Sequence, residues 1–290
     1  MPDVLETYLS KLKPGVSRSI IGHARAFCAW LGDRELDREA VEAWLQYRAR
    51  RHCKPGTLKF NFGVLKRIFE ANGVPWPFNK GEGPTISERD ESRLALGEDV
   101  ITALIRASAS MTDRHRAFLA VSTTYGIRRV EIGEIGDEDF EWESGLIYVE
   151  THKGGRQRYH LIPDEILPHL RAYRWRRISP ASISKVFAEL KAAAGLLGPS
   201  GKGAAWHAIR HTITQTLMRG GLNSVDAHNF MRWKASTRDI AERYASPTTV
   251  IHLDGKRVEA GASDVDLDKI AFSTLPWLAI WKEIPVDSNV

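Results

Sequence analysis

Between Pro75 and Pro84 the chain carries three prolines and two glycines in ten residues, Pro75-Trp76-Pro77-Phe78-Asn79-Lys80-Gly81-Glu82-Gly83-Pro84. Proline has no N–H to give to a helix interior or a central strand, and glycine loses the most backbone entropy when it is fixed there. No regular element is expected to cross such a stretch, which reads as a linker. A length of 290 residues independently favours two domains. The expected division is a helical domain over 1–80, a linker over 81–94 and a second domain over 95–290.

The first part has helical periodicity throughout. Leu5, Tyr8, Leu9 and Leu12 form one apolar face, stopped by Pro14-Gly15. Ser17 or Ser19 can cap a second helix carrying Ile20, Ile21, Ala24, Phe27, Trp30 and Leu31. A third is predicted over 37–51 with Val41, Trp44, Leu45 and Arg48, and a fourth after Pro55-Gly56 with Leu58, Phe62, Leu65 and Phe69. The result is a four-helix module.

Charge is distributed unevenly. The chain has a net charge of +5 and a pI near 9.2. Residues 1–80 hold 14 Lys or Arg against 8 Asp or Glu, so the remainder is slightly acidic. A basic surplus confined to one segment is the footprint of a nucleic-acid clamp. Arg48, Arg50, Arg51, Lys54, Lys59, Lys66 and Arg67 cluster around the last two predicted helices, and their reach suits phosphate contacts that position a duplex without reading its sequence. The two cysteines, Cys28 and Cys53, lie in no metal-ligand spacing and cannot build a disulfide framework. No apolar run approaches the roughly 18 residues of a membrane span, and no secretory leader is evident. The expected setting is cytoplasmic and nucleoid-associated, with no membrane, metal or cofactor.

In the second part, helices are predicted over 98–108 and 114–123, then a glycine turn at Tyr125-Gly126-Ile127-Arg128-Arg129-Val130-Glu131-Ile132. Phe140, Leu146–Val149 and Tyr159, Leu161 and Ile162 flank Lys153-Gly154-Gly155 and read as a β-hairpin or small sheet. Further helices are expected over 166–173, 182–194, 204–219 and 225–231, with a short amphipathic tail at Leu275, Trp277, Leu278 and Trp281. The fold class is therefore mainly α with a small antiparallel β-sheet (α+β).

One helix poses a question its apolar stripe does not answer. Ile209, Ile213 and Leu217 suit a core face, whereas His207 and Arg210 project together from another. In chain order the chemistry-bearing residues are Arg128, Lys153, His207, Arg210, Trp233 and Tyr244. A phosphodiester attacked by an oxygen develops charge on its non-bridging oxygens, which guanidiniums answer with paired donors at permanent charge. A lysine or histidine can protonate the leaving oxygen. A tyrosine nucleophile must lose its proton, at a cost of about 4 kcal/mol at neutral pH unless nearby cations or a base offset it. Taken singly, each residue has an ordinary alternative: a surface ion pair for Arg128, an exposed turn for Lys153, a core position for Trp233. The order of all six removes most of that ambiguity.

That order resembles the tyrosine recombinase (phage-type integrase) family. The turn at 125–132 resembles the Thr-Gly-Leu-Arg-x-x-Glu-Leu box, with Arg128 in the place of the catalytic arginine and Glu131 as its support. His152-Lys153-Gly154-Gly155 is similar to the family's lysine-bearing β-turn, and His207-Ala208-Ile209-Arg210-His211 to its His-x-x-Arg-His box, with His211 a packing or supporting residue. Phe230-Met231-Arg232-Trp233 stands for Leu-Gly-His, so Met231-Arg232 replaces a small pair. Tyr244 lies eleven positions past Trp233, about two more than is common in the family.

The resemblance implies an N-terminal core-binding domain, a catalytic domain, and a recombinase that cleaves and rejoins DNA through a 3′-phosphotyrosine without metal or ATP. It also implies double-stranded DNA with a specific attachment or recombination site as partner, and assembly of four protomers on it. A type IB-like topoisomerase and a catalytically silent DNA-binding protein on the same scaffold are the alternatives. The hydrophobic tail is expected to pack either on its own chain or on a neighbour.

Overall fold

Capping side chains set where the N-terminal helices begin. The computed structural model describes residues 3–85, 95–151, 157–196, 205–233, 249–253, 256–260 and 264–286, in two compact units, Met1–Ser92 and Arg93–Val290. In the first unit α1 spans Val4–Ser10, α2 Arg18–Leu31, α3 Arg38–Arg50 and α4 Pro55–Ala71. Ser17 Oγ accepts the Ser19 N–H, Asp37 Oδ1 accepts the Ala40 N–H at 2.8 Å, and Pro55 opens α4 where its missing N–H costs nothing. Tyr8, Phe27, Trp44, Leu65, Ile68 and Phe69 are buried at the centre. Burying each such side chain is worth about 1.5–3 kcal/mol.

The proline-rich stretch is only in part a connector. Trp76 packs edge-on against Phe62 (4.9 Å between ring centres) and Phe69 (5.1 Å), and Phe78 against Phe62 (5.1 Å). These rings extend the first unit's core.

The second unit is built around α6, Asp113–Tyr125, in which every residue from His115 to Tyr125 is buried. A helix enclosed all round has no polar face to show, so its sequence lacks an amphipathic stripe. Hydroxyls are accommodated by bonding back along the helix, as Thr123 Oγ1 does to the Leu119 carbonyl at 2.8 Å. Around it lie α5 (Glu98–Ser108), α7 (Arg129–Ile132), α8 (Leu167–Arg171), α9 (Pro180–Ala193), α10 (Trp206–Arg219) and α11 (Ser224–Phe230). Strands β1 (Phe140–Glu141), β2 (Leu146–Val149) and β3 (Arg158–Leu161) form an antiparallel meander, and β4 (Thr249–Leu253) pairs with β5 (Lys256–Ala260). This is the mainly helical fold with a small antiparallel sheet that the sequence predicts.

One feature differs from the sequence reading, and one settles an alternative it left open. The inward positions of β3 are Arg158 and His160, opposite Val149 and Ile147, while Tyr159 is exposed. The polar pair is buried because it meets Asp268 on a further helix, α12 (Asp264–Ser273), which apolar patterning does not announce. The tail folds onto its own chain. Trp277 and Trp281 are fully buried, the Trp277 indole N–H reaches the Thr123 carbonyl at 2.9 Å, and His169 Nε2 donates to the Trp281 carbonyl at 3.0 Å. No described helix is long and apolar enough to cross a membrane.

Candidate active site

Gly126 creates the site's first turn. It ends α6 in the left-handed region at φ 59°, where a Cβ would meet the Met231 methyl at 2.6 Å. The chain then leaves the buried helix and presents Arg128 as the N-cap of α7. Glu131, one turn on, holds it twice: the Arg128 N–H donates to Glu131 Oε2 at 2.8 Å, and Nη1 donates to Oε1 at 2.6 Å. Glu131 is fully buried, whereas Arg128 keeps 24% of its side chain exposed. Burial would raise the Glu131 carboxyl, but the Arg128 N–H, the Arg232 charge and the Arg128 guanidinium outweigh it and hold the group below its ordinary value.

Arg210 enters from α10 and is only 2% exposed. Its Nη1 donates to the Gly126 carbonyl at 2.6 Å and its Nη2 to the Met231 carbonyl, so one guanidinium ties together the α6 exit and the turn after α11. Burial first, then the nearby charges of Arg232 and Arg128, hold its pKa well below the ordinary arginine value. Trp233 is half-buried, edge-on to His228 at 4.5 Å, with the Arg210 guanidinium 5.7 Å from its ring centre.

His207, three residues before Arg210, is exposed and lies edge-on to His211 at 4.6 Å. It shares an open pocket of about 540 Å³ with Arg128, Arg129, Ser184, Phe187 and Trp206. Arg129 is bonded to Ser184 Oγ at 2.6 Å. Three guanidiniums, those of Arg128, Arg210 and Arg232, thus sit within electrostatic reach of one another around one buried carboxylate, Glu131. Arg210 and Arg232 spend their donors on carbonyls and His160, so they contribute fixed positive charge, partly out of water, near the exposed part of Arg128. That surplus suits an anion of single charge such as a phosphodiester. Among the described residues, no group of three or more His, Cys, Asp or Glu is gathered to hold a metal ion.

The structure therefore brings Arg128, Glu131, His207, His211, Arg210 and Trp233 together. Lys153 and Tyr244 lie outside the described residues. Sequence reasoning missed Arg232, which is fully buried and holds a positive φ of 54° at the place where the family resemblance puts a small residue. That departure from a small residue was its only sequence signal. In the first unit, Arg50, Arg51, Lys54, Lys59, Lys66 and Arg67 are exposed, and Arg48 is half-buried with its guanidinium 5.4 Å from the Trp44 ring centre. Lys59 and Lys66 join Lys80 and the rings of Phe62, Trp76 and Phe78 along an open groove of about 650 Å³.

The sequence profile of the phage integrase family matches residues 95–249. Comparison with curated protein sequences finds no match. Among solved structures, the chain is similar to a lambda integrase dimer bound to a COC′ core site, with a TM-score of 0.61 and 17% identity over 83% of this chain and 76% of that one. It is also similar to the Tn1549 transposon integrase in complex with circular intermediate DNA, with a TM-score of 0.58 and 14% identity over 84% of this chain and 99% of that one. At these identities the likeness is one of fold. Fold and profile together define the class, that of the tyrosine site-specific recombinases. The chain belongs to the phage integrase family.

Proposed function

We propose that this recombinase cleaves and rejoins DNA through a covalent tyrosine intermediate, with Tyr244 as nucleophile. The Tyr244 oxygen attacks the phosphorus of a phosphodiester, and the bond to the 5′ oxygen breaks. The products are a 3′-phosphotyrosine and a free 5′-hydroxyl. That hydroxyl, or one from a partner strand, attacks the phosphotyrosine in reverse, so the phosphodiester is remade without ATP. Arg128, Arg210 and Trp233 stabilise the pentacoordinate phosphorane, and the guanidiniums supply the charge a metal ion would otherwise bring. Lys153 protonates the leaving 5′ oxygen, and His207 assists removal of the Tyr244 proton. Glu131 orients Arg128, and His211 supports the His207 ring.

The observation that carries this reading is the pairing of Arg128 and His207 on one open, cationic pocket, with the buried Arg210 guanidinium within electrostatic reach of Arg128. The partner is double-stranded DNA with a specific attachment or recombination site. Phosphates meet the Arg48, Arg50, Arg51, Lys54, Lys59, Lys66 and Arg67 surface, and four protomers assemble on two sites. Support for this comes from lambda integrase, whose structures include a dimer on a core site and a tetramer on a Holliday junction.

The test is a nicked suicide duplex from a candidate attachment site, incubated with the full chain and resolved on a denaturing gel. The wild-type chain is expected to form a covalent adduct, and Tyr244→Phe to bind the duplex and form none. An adduct that persists in Tyr244→Phe would remove Tyr244 as the nucleophile. Relaxation of supercoils without site preference would favour a topoisomerase instead.

A further inference from the structure

The thirty residues 234–263, which include Tyr244, run between two buried charges. Arg232 lies just before this segment and Asp268 just after it, and both are fully buried. His160 of β3 joins them. Arg232 Nη1 is 2.6 Å from His160 Nε2, and His160 Nδ1 is 3.0 Å from Asp268 Oδ1. A guanidinium can only donate, so Nε2 must accept, and the imidazole proton sits on Nδ1, facing the carboxylate. The chain of donors therefore has one direction, from Arg232 through His160 to Asp268.

Both ends have further anchors. Asp268 Oδ1 also accepts Arg158 Nη2 at 2.9 Å, and Oδ2 accepts the Leu161 N–H at 2.8 Å, so the carboxylate binds α12 to β3. Arg232 Nη2 donates to the Tyr125 carbonyl at 3.2 Å, one residue before Gly126, whose carbonyl receives Arg210. The carbonyl of Met231, next to Arg232, receives the other end of the Arg210 guanidinium. The turn that carries Trp233 is thus held to the α6 exit and to β3 by directional bonds.

We propose that Arg232, His160 and Asp268 are positioning residues, a buried staple that joins the two points of the fold on either side of the stretch bearing Tyr244 and so closes the base from which that stretch departs. The inference rests on the function proposed above. Apolar packing could close the same base, but it is not directional. Buried ions cost several kcal/mol each to desolvate, and well-packed apolar side chains of similar size often stabilise a fold as well or better. What hydrogen-bonded charges add is a fixed register. In-line attack needs the reacting atoms within roughly 3–3.5 Å, and a misplacement of about 1 Å can cost on the order of a hundredfold in rate.

The test measures single-turnover adduct formation on a nicked suicide duplex at saturating full-length protein, alongside duplex affinity and melting temperature. His160→Ala is expected to slow adduct formation about tenfold or more while affinity stays within about threefold. His160→Gln, which keeps an acceptor for Arg232 and a donor for Asp268, should recover the rate to within about threefold of wild type. Leu275→Ala removes a buried side chain from the same tail without touching the staple; compared at matched stability, it should keep a near wild-type rate. Asp268→Asn guards against misfolding, because it is isosteric yet offers one acceptor oxygen where three donors converge; it should be slowed about fivefold or more. Wild-type rates in folded His160→Ala or Asp268→Asn would overturn the inference alone, as would a slowing of Leu275→Ala equal to theirs. A wild-type chain that forms no adduct would overturn the proposed function and the staple with it.

Discussion

Arg128 is gripped by Glu131 at two points, through its backbone N–H at 2.8 Å and its guanidinium at 2.6 Å. One carboxylate therefore starts α7 and aims the arginine into the pocket. Removing its charge separates these two jobs. Glu131→Gln should cost about 1–3 kcal/mol, because a buried charge-assisted bond is lost. It should also slow suicide-substrate cleavage by about tenfold or more, through misalignment of Arg128. Chemical denaturation and single-turnover kinetics on the same variant check the two parts. A full cleavage rate would show that Arg128 orients itself.

The same group sets an acid limit. The Glu131 carboxyl lies below its ordinary value of 4.5 in the folded chain, so the fold favours the ionised form. Its contribution is complete above that ordinary value and is lost as pH falls through the lower folded one. Unfolding titrations between about pH 3 and 7 should show this slope, and Glu131→Gln should remove it.

Asp268 tilts stability the other way. Burial pushes its carboxyl from 3.8 up to about 7, against the opposing pull of Arg158, the Leu161 N–H and Arg232. Between those values the folded chain keeps a proton that the unfolded chain has released. Asp268's stabilising contribution is therefore full below 3.8 and is lost as pH rises through about 7. Asp268→Asn cannot ionise and should flatten this part of the profile. An unchanged profile would mean the carboxylate is already ionised across the window.

Gly126 admits no side chain without cost. Its φ of 59° is strained for any L residue, and a Cβ there would press on the Met231 methyl at 2.6 Å. Gly126→Ala should destabilise by about 1–2 kcal/mol from the backbone alone. It should lower activity more than stability, because the Gly126 and Met231 carbonyls are the two anchors of Arg210. Comparing melting temperature with adduct yield decides this.

The tail is part of the catalytic unit's core. Trp277 and Trp281 are fully buried, and Trp277 bonds to the Thr123 carbonyl inside the central helix. Trp281→Ala should cost about 3–5 kcal/mol. Truncation after Asp266 should unfold the second unit, as circular dichroism would report. A folded truncated chain that fails only to assemble on DNA would place the tail's role between protomers instead.

Much of this protein was legible in short-range signals. Ser17 and Asp37 stand at helix starts within three residues of the N–H groups they accept, and period-three-and-four apolar residues mark the faces of α1 to α4. The Arg128, Glu131, His207 and Arg210 cluster was legible because each residue sits in a local motif whose backbone is set by its neighbours. What the sequence could not display was pairing across distance. Arg232 meets His160 from 72 residues away, His160 meets Asp268 from 108, and Trp277 meets Thr123 from 154. A polar residue on a strand reads as solvent-facing until its partner is known, which is why Arg158 and His160 proved to be inward. Trp76 and Phe78 read as linker because prolines surround them, and only the rings of Phe62 and Phe69 draw them into a core. The sequence alone determined the helical elements, the basic first unit and the chemical types gathered at the site. Only the tertiary structure decided which charges are buried together and that the tail closes on its own chain, because burial and pairing belong to contacts that no local window contains.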